Sequence, residues 1–439
     1  MDVELKSCFG DPLLEVMNFL NEVVVRYPGA ISFAPGRPAE RHFDVERSLA
    51  QTPAFVAHRA AATGWTPKAV WNDLGQYNKT NGIINDLVAR QVERDEGIRV
   101  RPESIMITHG CQEAMVVLLL GLFDPAGDVL LVSDPTYIGM TGPAVILGIE
   151  IVPIPTGENG LEAGAVAAAI AGVRRAGKRP RALYDVPDFN NPLGTQMPLA
   201  ARRALLDVLR GEEVLLFEDN PYGMFSYDAD PLPTLKALDE HRVVIYLGSF
   251  AKTLYPGLRA GYLIADQDVI GTGGRRTSLA AELSKVKSLT TVTTAPVIQA
   301  VVGAQLLANG GSLRDLVRGK LPFYKGNRDR MLACLERELG GAGGVDGVRW
   351  NRPAGGFFLT VSLPFGFDDG CLQDCARDYG VVVCPMSHFA LTAGREHQVR
   401  LSFSYVDEAQ IEEGIGRFAR FVRDRVAAGT TAVRAAAVG

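Results

Sequence analysis

The middle of the chain, from about Thr66 to Phe323, alternates helical patterns with short apolar runs. These runs are apolar throughout rather than alternating with polar residues, which is typical of strands covered on both faces of a sheet. Strands separated by helices indicate an α/β fold with a mostly parallel, doubly wound sheet. The predicted strands lie in the segments SIMITHG, DVLLVSDP, IEIVPIP, ALYDVPD, VLLFEDNPY, VVIYLGSF and AGYLIAD.

The two ends of the chain have a different pattern. The N-terminal end contains an amphipathic stretch, PLLEVMNFLNEVV, followed by the loop SFAPGRPAERHF. From about Tyr324 the pattern becomes a long helix, then a strand-rich segment and a closing helix near 407–427. A chain of 439 residues is too long for one small core. We therefore predict a large domain at residues 46–323 and a smaller α+β domain formed by residues 1–45 and 324–439.

The composition narrows the classes of protein to which the chain can belong. Hydrophobic residues make up 47% and charged residues 22%, as in an ordinary globular protein. The net charge of −5 gives no electrostatic reason to expect a nucleic acid partner. The first residues lack the pattern of a signal peptide, and the longest apolar run, MVVLLLGLF, is shorter than the roughly 18 residues of a membrane span. We therefore expect a cytoplasmic protein without membrane segments.

The cysteines raise the question of a disulfide scaffold or a metal site. Six cysteines in a chain of this length do not indicate a disulfide scaffold. The spacing of Cys371, Cys375, Cys384 and His388 loosely resembles a four-ligand zinc set. However, Cys371 and Cys375 lie one turn apart on a predicted helix, and Cys384 ends a predicted buried strand. We therefore expect no metal ion.

Polar residues directly follow several of the predicted strands. The segments THGCQ, SDPTY, DNPY and SFAK each lie where an apolar run ends. In a doubly wound sheet, the ligand sits at the carboxyl ends of the strands. These segments therefore predict the position of a ligand site.

The segment VVIYLGSFAKTLYPGLRAGY, residues 243–262, contains the most informative residue, Lys252. An amine at this position can form a Schiff base with an aldehyde. Ser249 and Arg259, on either side of the lysine, can hold a phosphate. An aldehyde that carries a phosphate is pyridoxal 5′-phosphate (PLP), and we therefore predict this cofactor.

A carboxylate ends the preceding predicted strand. Asp219 closes the run VLLFED, where an acid beside so much apolar surface is unexpected without a partner. A buried acid would keep a pyridine nitrogen protonated, because an opposite charge stabilises the charged form. The protonated ring then acts as an electron sink. Tyr222, three residues further on, can donate to the phenolate oxygen of the same ring.

Other positions carry weaker signals. The N–H groups of Cys111 and Gln112, at the start of a predicted helix, suit a phosphate. Tyr137 in SDPTY can stack on a flat ring, and Asn191 on a turn can donate to a ring oxygen or to a substrate carboxylate. The planar guanidinium of Arg400 suits a substrate α-carboxylate. Taken singly, a glycine turn, a packing tyrosine and a turn asparagine explain the first three signals better than a ligand site does, and a surface arginine explains Arg400 equally well.

Together, these motifs resemble the class I/II aminotransferases of PLP fold type I, the aspartate aminotransferase superfamily. The resemblance runs from about Ser32 to the last predicted helix. It implies a PLP-dependent transferase with a large domain and a smaller α+β domain. The segments that carry it are LGQYNKTNG, THGCQ, DPTY, NNPLG, EDNPY, SFAKTLYPGLRAGY, GGFF and VRLSFS.

The resemblance also implies a role for each matched residue. Lys252 would form the Schiff base and transfer the proton, and Asp219 and Tyr222 would complete the catalytic set. Tyr77 would reach the phosphate of the neighbouring subunit, which implies a homodimer with shared active sites. The implied cofactor-binding residues are Tyr77, Cys111, Gln112, Tyr137, Asn191, Asp219, Tyr222, Ser249, Lys252 and Arg259. The implied substrate-binding residues are Gly36 and Arg37 of the covering loop, Asn191 and Arg400.

The predicted reaction is transamination between an amino acid and a 2-oxo acid, as part of amino-acid biosynthesis. Asn78, Met386, His388 and Arg37 depart from the usual pattern of the family around the substrate pocket or the dimer contact. The alternative is therefore a γ-elimination, replacement, cyclising or oxidising enzyme of specialised amino-acid metabolism on the same scaffold. A transcription regulator that reuses this fold would carry an added helix-turn-helix domain. We do not expect one here, because few residues precede the fold and none forms a basic segment.

Overall fold

The computed structural model describes residues 3–270, 274, 276–341 and 343–438. Its α-helices are α1 (Leu13–Arg26), α2 (Val45–Ala50), α3 (Thr52–Thr63), α4 (Pro67–Leu74), α5 (Asn85–Glu96), α6 (Gly110–Leu122), α7 (Ile138–Leu147), α8 (Ala163–Arg175), α9 (Leu199–Gly211), α10 (Leu235–Leu238), α11 (Phe250–Thr253), α12 (Leu279–Thr290), α13 (Pro296–Ala308), α14 (Arg314–Arg318), α15 (Leu321–Leu339), α16 (Asp369–Asp378) and α17 (Glu408–Val438).

The β-strands are β1 (Ile31–Ser32), β2 (Ile105–Thr108), β3 (Asp128–Asp134), β4 (Glu150–Pro155), β5 (Arg179–Asp185), β6 (Leu215–Asp219), β7 (Val244–Ser249), β8 (Gly261–Ile264), β9 (Asp268–Ile270), β10 (Arg276–Ser278), β11 (Arg349–Trp350), β12 (Phe358–Ser362), β13 (Val381–Val382), β14 (Cys384–Pro385) and β15 (Gln398–Ser402). Short 3₁₀ turns lie at Ser7–Gly10, Glu40–His42, Pro102–Ser104, Pro256–Leu258 and Met386–His388.

Within the described residues, the central sheet has seven strands in the order β2–β8–β7–β6–β5–β3–β4. Its neighbouring strands are parallel except for β8, which runs antiparallel to both β2 and β7. Each predicted strand segment forms one of these strands. The prediction of an α/β fold with a mostly parallel, doubly wound sheet is therefore confirmed.

Alternate residues of one strand belong to different apolar cores. In β2, Met106 packs into one core and Ile107 into another. In β3, Leu130 shares the core of Met106, whereas Leu131 packs into a third core. All four side chains are fully buried. Because successive side chains of a strand point to opposite faces, both faces of the sheet are covered, which explains why the runs are apolar throughout.

The segment IEIVPIP departs from this pattern. It forms β4 at the edge of the sheet, where Ile154 is buried while Glu150 is exposed and the residues between them are half-buried. The prediction of a fully buried strand is wrong here. The physical reason is that an edge strand has a neighbouring strand on one side only.

A second sheet lies in the C-terminal part of the chain. Its strands run antiparallel in the order β11–β12–β15–β14. Strand β1 pairs in parallel with β13, with Ile31 opposite Val381, so that the N-terminal segment joins the C-terminal one. Helix α15 crosses the predicted boundary between Phe323 and Tyr324 without a break. The division into two domains at this boundary stays a prediction.

The amphipathic stretch near the N-terminus forms α1, which packs against α7. This contact brings the N-terminal segment next to the carboxyl edge of β3, because α7 follows that strand. None of the helices in the described part of the chain combines the length and the apolar character that crossing a bilayer requires.

Candidate active site

The polar residues at the carboxyl ends of the central strands open into one cavity of about 1050 Å³. Asp219 ends β6, Ser249 ends the adjacent parallel strand β7, and Lys252 follows on α11. The sheet therefore brings these side chains together, as the rule for doubly wound sheets predicts. The predicted site residues that line the cavity are Gly36, Arg37, Cys111, Gln112, Tyr137, Asn191, Asp219, Tyr222, Ser249, Lys252, Arg259 and Arg400.

Lys252 lies on α11, a short helix directly after β7. The hydroxyl of Ser249 accepts a hydrogen bond from the N–H of Ala251 at 3.2 Å and so caps this helix. The Nζ of Lys252 donates to the carbonyl oxygen of Gly36 at 2.8 Å. Burial and the positive charge of Arg259 lower the pKa of Lys252 to about 8. Part of this amine is therefore neutral near pH 7, as a nucleophile or a base requires.

Asp219 is buried, with 4% of its surface exposed. Its Oδ2 accepts a hydrogen bond from the hydroxyl of Tyr184 at 2.8 Å. Its Oδ1 is buried without a hydrogen-bond partner among the described residues. Burial raises the pKa of Asp219 to about 7, although the hydrogen bond from Tyr184 and the charge of Lys252 oppose this rise. An unpaired buried oxygen is costly, and the protonated ring nitrogen of PLP is a donor of the right charge, so the residues present fit this cofactor.

Sequence reasoning misses Tyr184 as a site residue. It lies in β5, next to β6, and its side chain is fully buried. The available signal is the tyrosine in the otherwise apolar run ALYDV, because a buried tyrosine hydroxyl normally has a hydrogen-bond partner. The sequence does not show which side chain that partner is.

The first residue of α6 faces Arg259. Gly110 has a φ of +71°, which side chains with a Cβ rarely adopt, and a Cβ here would lie 2.9 Å from the guanidinium of Arg259. The N–H groups of the first helical turn, including those of Cys111 and Gln112, have no carbonyl partner within the helix. Cys111 and Gln112 line the cavity together with Arg259 and Ser249. The combination of a helix N-terminus and a guanidinium suits a phosphate.

Two tyrosine rings form part of the cavity wall. Tyr137 is half-buried directly before α7, and burial raises its pKa to about 12. Tyr222 is 4% exposed, and the centroid of its ring lies 6.0 Å from the Nζ of Lys252. Burial also raises the pKa of Tyr222. Both hydroxyls therefore stay protonated at neutral pH and can donate hydrogen bonds.

Arg400 is buried in β15 with 2% of its surface exposed. Its guanidinium lies over the rings of Phe358 and Phe389, at 4.5 Å and 4.6 Å from their centroids. It donates to Oδ1 of Asn191 at 2.6 Å and also to the carbonyl oxygen of Ala34. In the described chain no carboxylate forms an ion pair with Arg400, and its Nε is buried without a partner. A buried cation without an anionic partner predicts that an anion is bound here.

Of the predicted site residues, Tyr77 lies outside this cavity. Its side chain is 81% exposed. The next residue, Asn78, donates from its side-chain amide to Oδ2 of Asp73 at 2.8 Å. The assignment of Tyr77 to the phosphate of a neighbouring subunit stays a prediction.

Met386 and His388 also lie outside the lining of the cavity, as far as the described residues form it. Met386 is fully buried. The Nε2 of His388 is 2.8 Å from Oδ1 of Asp369, and its ring meets the ring of Phe19 in α1 edge-on at 5.3 Å. These residues therefore support the packing around the cavity rather than form its wall.

The cysteine cluster shows no metal-binding geometry. Cys371 and Cys375 are buried on α16, and Cys384 is buried in β14. Within the described ranges, no group of three or more His, Cys, Asp or Glu side chains could hold a metal ion. All six cysteines are free thiols.

Comparison with known proteins identifies the family. Residues 73–418 match the sequence model described as aminotransferase class I and II, and the chain belongs to this family. It is 42% identical to (S)-3,5-dihydroxyphenylglycine transaminase of Amycolatopsis orientalis, over 96% of this chain and 94% of the relative. It is 31% identical to aromatic-amino-acid aminotransferase 1 of Thermococcus litoralis, over 92% of this chain and 90% of that relative.

A solved structure confirms the fold type. The kynurenine aminotransferase of Pyrococcus horikoshii, in complex with PMP, superimposes with a TM-score of 0.80 at 28% identity. The superposition covers 96% of this chain and 97% of the other. The chain is therefore a PLP-dependent transferase of fold type I that transfers an amino group between an amino acid and a 2-oxo acid.

Proposed function

We propose that the chain is a homodimeric aminotransferase whose amino donor carries an aromatic side chain. One observation supports the assignment of the site above all others. The amine of Lys252 and the unpartnered Oδ1 of Asp219 belong to the same cavity, which also contains the buried guanidinium of Arg400. An aminotransferase needs these three groups for the aldehyde, the ring nitrogen and the substrate carboxylate, respectively.

Lys252 would move the proton. When bound, PLP supplies an aldehyde carbon that receives the amino group and a ring that withdraws electrons. With its pKa lowered to about 8, Lys252 is neutral in a part of the molecules at pH 7 and can accept the α-proton of the substrate. Gly36 holds the Nζ at its carbonyl oxygen, and Asp219 would keep the ring nitrogen protonated.

The phosphate and the carboxylate would bind at separate places. The N–H groups of Cys111 and Gln112, with Ser249 and Arg259, would hold the phosphate. Arg400 would bind the α-carboxylate as a planar fork, because it is buried between two rings and has no anionic partner in the described chain. Asn191 already accepts a hydrogen bond from Arg400 and would orient it. Binding of the two anions at separate places would orient the substrate for proton transfer to Lys252.

The rest of the cavity wall favours an aromatic side chain. Leu13 and Leu14 of α1 and Ile146 of α7 supply apolar surface, and Glu15 and Asn18 add a carboxylate and an amide on the same helix. Apolar surface suits a ring, and the two polar groups suit ring hydroxyls. Two relatives are named for dihydroxyphenylglycine and for aromatic amino acids, which supports the same class of substrate.

The exposed residues around Tyr77 support the homodimer. Tyr77 is 81% exposed and Leu289 is 88% exposed. The hydroxyl of Thr293 donates to the carbonyl oxygen of Lys79 at 3.2 Å, which brings the segment after α12 beside the Tyr77 loop. Exposed large apolar side chains that form one contiguous patch mark interaction surfaces. A second copy on this surface would cover them and place Tyr77 near the phosphate of its partner.

We extend the proposal to a cytoplasmic location and a role in amino-acid biosynthesis. The six free thiols fit the reducing cytoplasm, where disulfides are rare. The biosynthetic role rests on family membership alone.

The test adds single amino acids to the enzyme loaded with PLP, in the absence of an acceptor. A ring-hydroxylated phenylglycine, phenylalanine and tyrosine are compared with alanine and aspartate. We expect the aromatic donors to convert the cofactor to its amine form and to yield a 2-oxo acid, with a second-order rate constant for this half-reaction about tenfold or more above that of the controls. A faster reaction with aspartate would overturn the substrate class. A cofactor that returns to its starting spectrum while the amino acid is consumed would favour the elimination or cyclising alternative.

A further inference from the structure

A buried ion pair lies directly behind the predicted phosphate pocket. Both carboxylate oxygens of Glu113 accept hydrogen bonds from the Nζ of Lys287, at 2.9 Å and 2.8 Å. The side chain of Lys287 is fully buried and that of Glu113 is 8% exposed. Neither residue belongs to the lining that the described residues give the cavity. The pair therefore acts on the pocket only through the backbone and through its charge.

Glu113 fastens the turn that opens α6. Its Oε2 accepts a hydrogen bond from the N–H of His109 at 2.7 Å. His109 directly precedes Gly110, and its own side chain does not cap the helix. The hydroxyl of Thr291 also donates to Oε1 of Glu113. The carboxylate thus holds the turn at the start of α6, whose first residues, Gly110, Cys111 and Gln112, line the cavity.

The same carboxylate creates an electrostatic problem. Burial would raise the pKa of Glu113, but hydrogen bonds from Lys287, Thr291 and the N–H of His109 hold it below its ordinary value. Glu113 is therefore ionised at neutral pH, within the first turn of the helix whose N-terminus should receive a phosphate. A lone negative charge there would repel a phosphate dianion and offset the positive potential of the helix N-terminus that attracts it.

Lys287 neutralises the negative charge of Glu113. It has no other anionic partner in the described chain. Its remaining hydrogen bonds go to the hydroxyls of Thr291 and Thr294, at 3.2 Å and 3.1 Å. Thr294 in turn donates to the carbonyl oxygen of Ile107 in β2 at 3.0 Å. The ammonium is thus held in one position between α12 and the central sheet.

We propose that Glu113 and Lys287 are positioning residues for the cofactor phosphate: Glu113 fastens the turn, and Lys287 cancels its charge so that the helix end still accepts a dianion. This inference rests on the proposed phosphate role of Cys111 and Gln112. Loss of the partner of Glu113 should therefore weaken binding of the phosphate group and leave binding of the rest of the cofactor unchanged.

The test measures the affinity of the full chain, freed of cofactor, for PLP and for pyridoxal, which lacks the phosphate. The variants are Lys287→Met, Glu113→Gln and the double variant with both changes. Lys285→Met is the matched control, because Lys285 lies on the same helix and pairs with Glu282 at an exposed position. Circular dichroism verifies that each variant is folded.

We expect Lys287→Met to weaken the binding of PLP by about tenfold or more and to leave the binding of pyridoxal within about threefold of the wild type, because an unpaired buried charge is left next to the phosphate. In Glu113→Gln and the double variant, residue 113 carries no charge, and its amide oxygen can still accept the hydrogen bond from the N–H of His109 that holds the turn. Both variants should therefore bind PLP within about threefold of the wild type. Lys285→Met should bind both compounds as the wild type does.

An equal loss of affinity for PLP and pyridoxal in Lys287→Met would show a general structural role and would overturn the inference. Unchanged PLP binding by Lys287→Met would also overturn it. If Lys287→Met does not fold, the double variant and Glu113→Gln decide, since a tenfold loss of PLP binding in either contradicts the charge argument. A wild-type protein without preference for PLP over pyridoxal would overturn the phosphate pocket itself, and this inference with it.

Discussion

Tyr184 donates its hydroxyl hydrogen to Oδ2 of Asp219 at 2.8 Å and leaves the other carboxylate oxygen without a partner among the described residues. The two side chains lie on neighbouring strands, β5 and β6, in the buried centre of the sheet. This arrangement orients the acid while keeping one oxygen for a donor from the cavity. Asp219 therefore already has one oriented oxygen that can accept a hydrogen bond from a protonated ring nitrogen before the cofactor binds.

The first prediction concerns the pH dependence of stability without cofactor. Burial raises the pKa of Asp219 to about 7, so the folded chain holds a proton there that the unfolded chain releases near pH 4. The stabilising effect of the protonated acid is complete below about pH 4 and is lost as the pH rises through about 7. Asp219→Asn has no such loss. Between pH 5 and pH 8, the free energy of unfolding of Asp219→Asn should rise relative to that of the wild type by on the order of 2 to 3 kcal/mol.

Denaturant unfolding of both cofactor-free proteins at the two pH values measures this difference. Tyr184→Phe serves as the companion variant, because losing its hydrogen bond should raise the pKa of Asp219 further. An unchanged difference between pH 5 and pH 8 would mean that Asp219 ionises as an exposed carboxylate does. Addition of PLP should stabilise the wild type more than Asp219→Asn.

The second prediction concerns the covering loop. A Cβ on Gly36 would lie 2.3 Å from the Cζ atom of Phe358, so Gly36→Ala must displace either the loop or a ring that packs on Arg400. Overpacking of this kind costs about 1 to 3 kcal/mol. The carbonyl oxygen that holds Lys252 moves with the loop, and kcat/KM should fall by about tenfold. Gly29→Ala is the matched control, because nothing lies within 4 Å of a Cβ at that position.

Steady-state kinetics of both variants test the role of the loop. PLP binding should change less than kcat/KM in Gly36→Ala, because the phosphate pocket lies on other elements. Equal effects of the alanine at residues 36 and 29 would contradict a specific role of the loop.

The third prediction separates substrate binding from cofactor binding. Arg400→Met should raise KM for the amino donor by about ten- to hundredfold, because it removes charge-assisted hydrogen bonds to the carboxylate. Arg400→Lys should recover only part of this loss, since an ammonium lacks the planar fork. Arg349→Met, at an exposed arginine in the same sheet, is the control. If PLP affinity falls as steeply as substrate affinity, Arg400 supports the fold and does not bind the carboxylate.

The fourth prediction tests the shared active site. Tyr77→Phe should weaken PLP binding, while Lys252→Ala abolishes activity. In a hybrid dimer, the site that contains Lys252 of the Tyr77→Phe chain receives the intact Tyr77 of the Lys252→Ala chain. Mixing the two variants should therefore restore the PLP affinity of that site to the wild-type value. Titration of activity against PLP measures the recovery, and a mixture that behaves as the Tyr77→Phe chain alone rules out a shared site.

The central sheet could be predicted from the sequence because its strands are apolar on both faces. The strand β3, for example, is buried at every residue from Asp128 to Asp134. The edge strand β4 carries the same kind of run, and the sequence does not show which strand lies at the edge. Strand order depends on contacts between segments far apart in the chain, which local patterns do not record.

The sequence predicts those residues of the candidate site whose side chains have a distinctive chemical role of their own. Lys252 and Asp219 follow apolar runs, so their position at the carboxyl edge of the sheet was expected. Ion pairs between residues that are far apart in the sequence could not be predicted, because they form only in the folded chain. Lys287 lies 174 residues from Glu113, and each reads as an ordinary charged residue on a helix. The amphipathic pattern of α1 likewise predicts one buried face but not that this helix lines the cavity.

The most direct test of the account is to locate the covalent bond between the protein and PLP. The wild-type enzyme is loaded with PLP, reduced with borohydride, digested and analysed by mass spectrometry, with Lys252→Ala treated in parallel. We predict a single labelled lysine, residue 252, and no label in the variant. Lys320 is an internal control, since burial also lowers its pKa to about 8 although its Nζ donates to the carbonyl oxygen of Thr253. Label on Lys320 or Lys287, or an unlabelled wild type, would contradict the account.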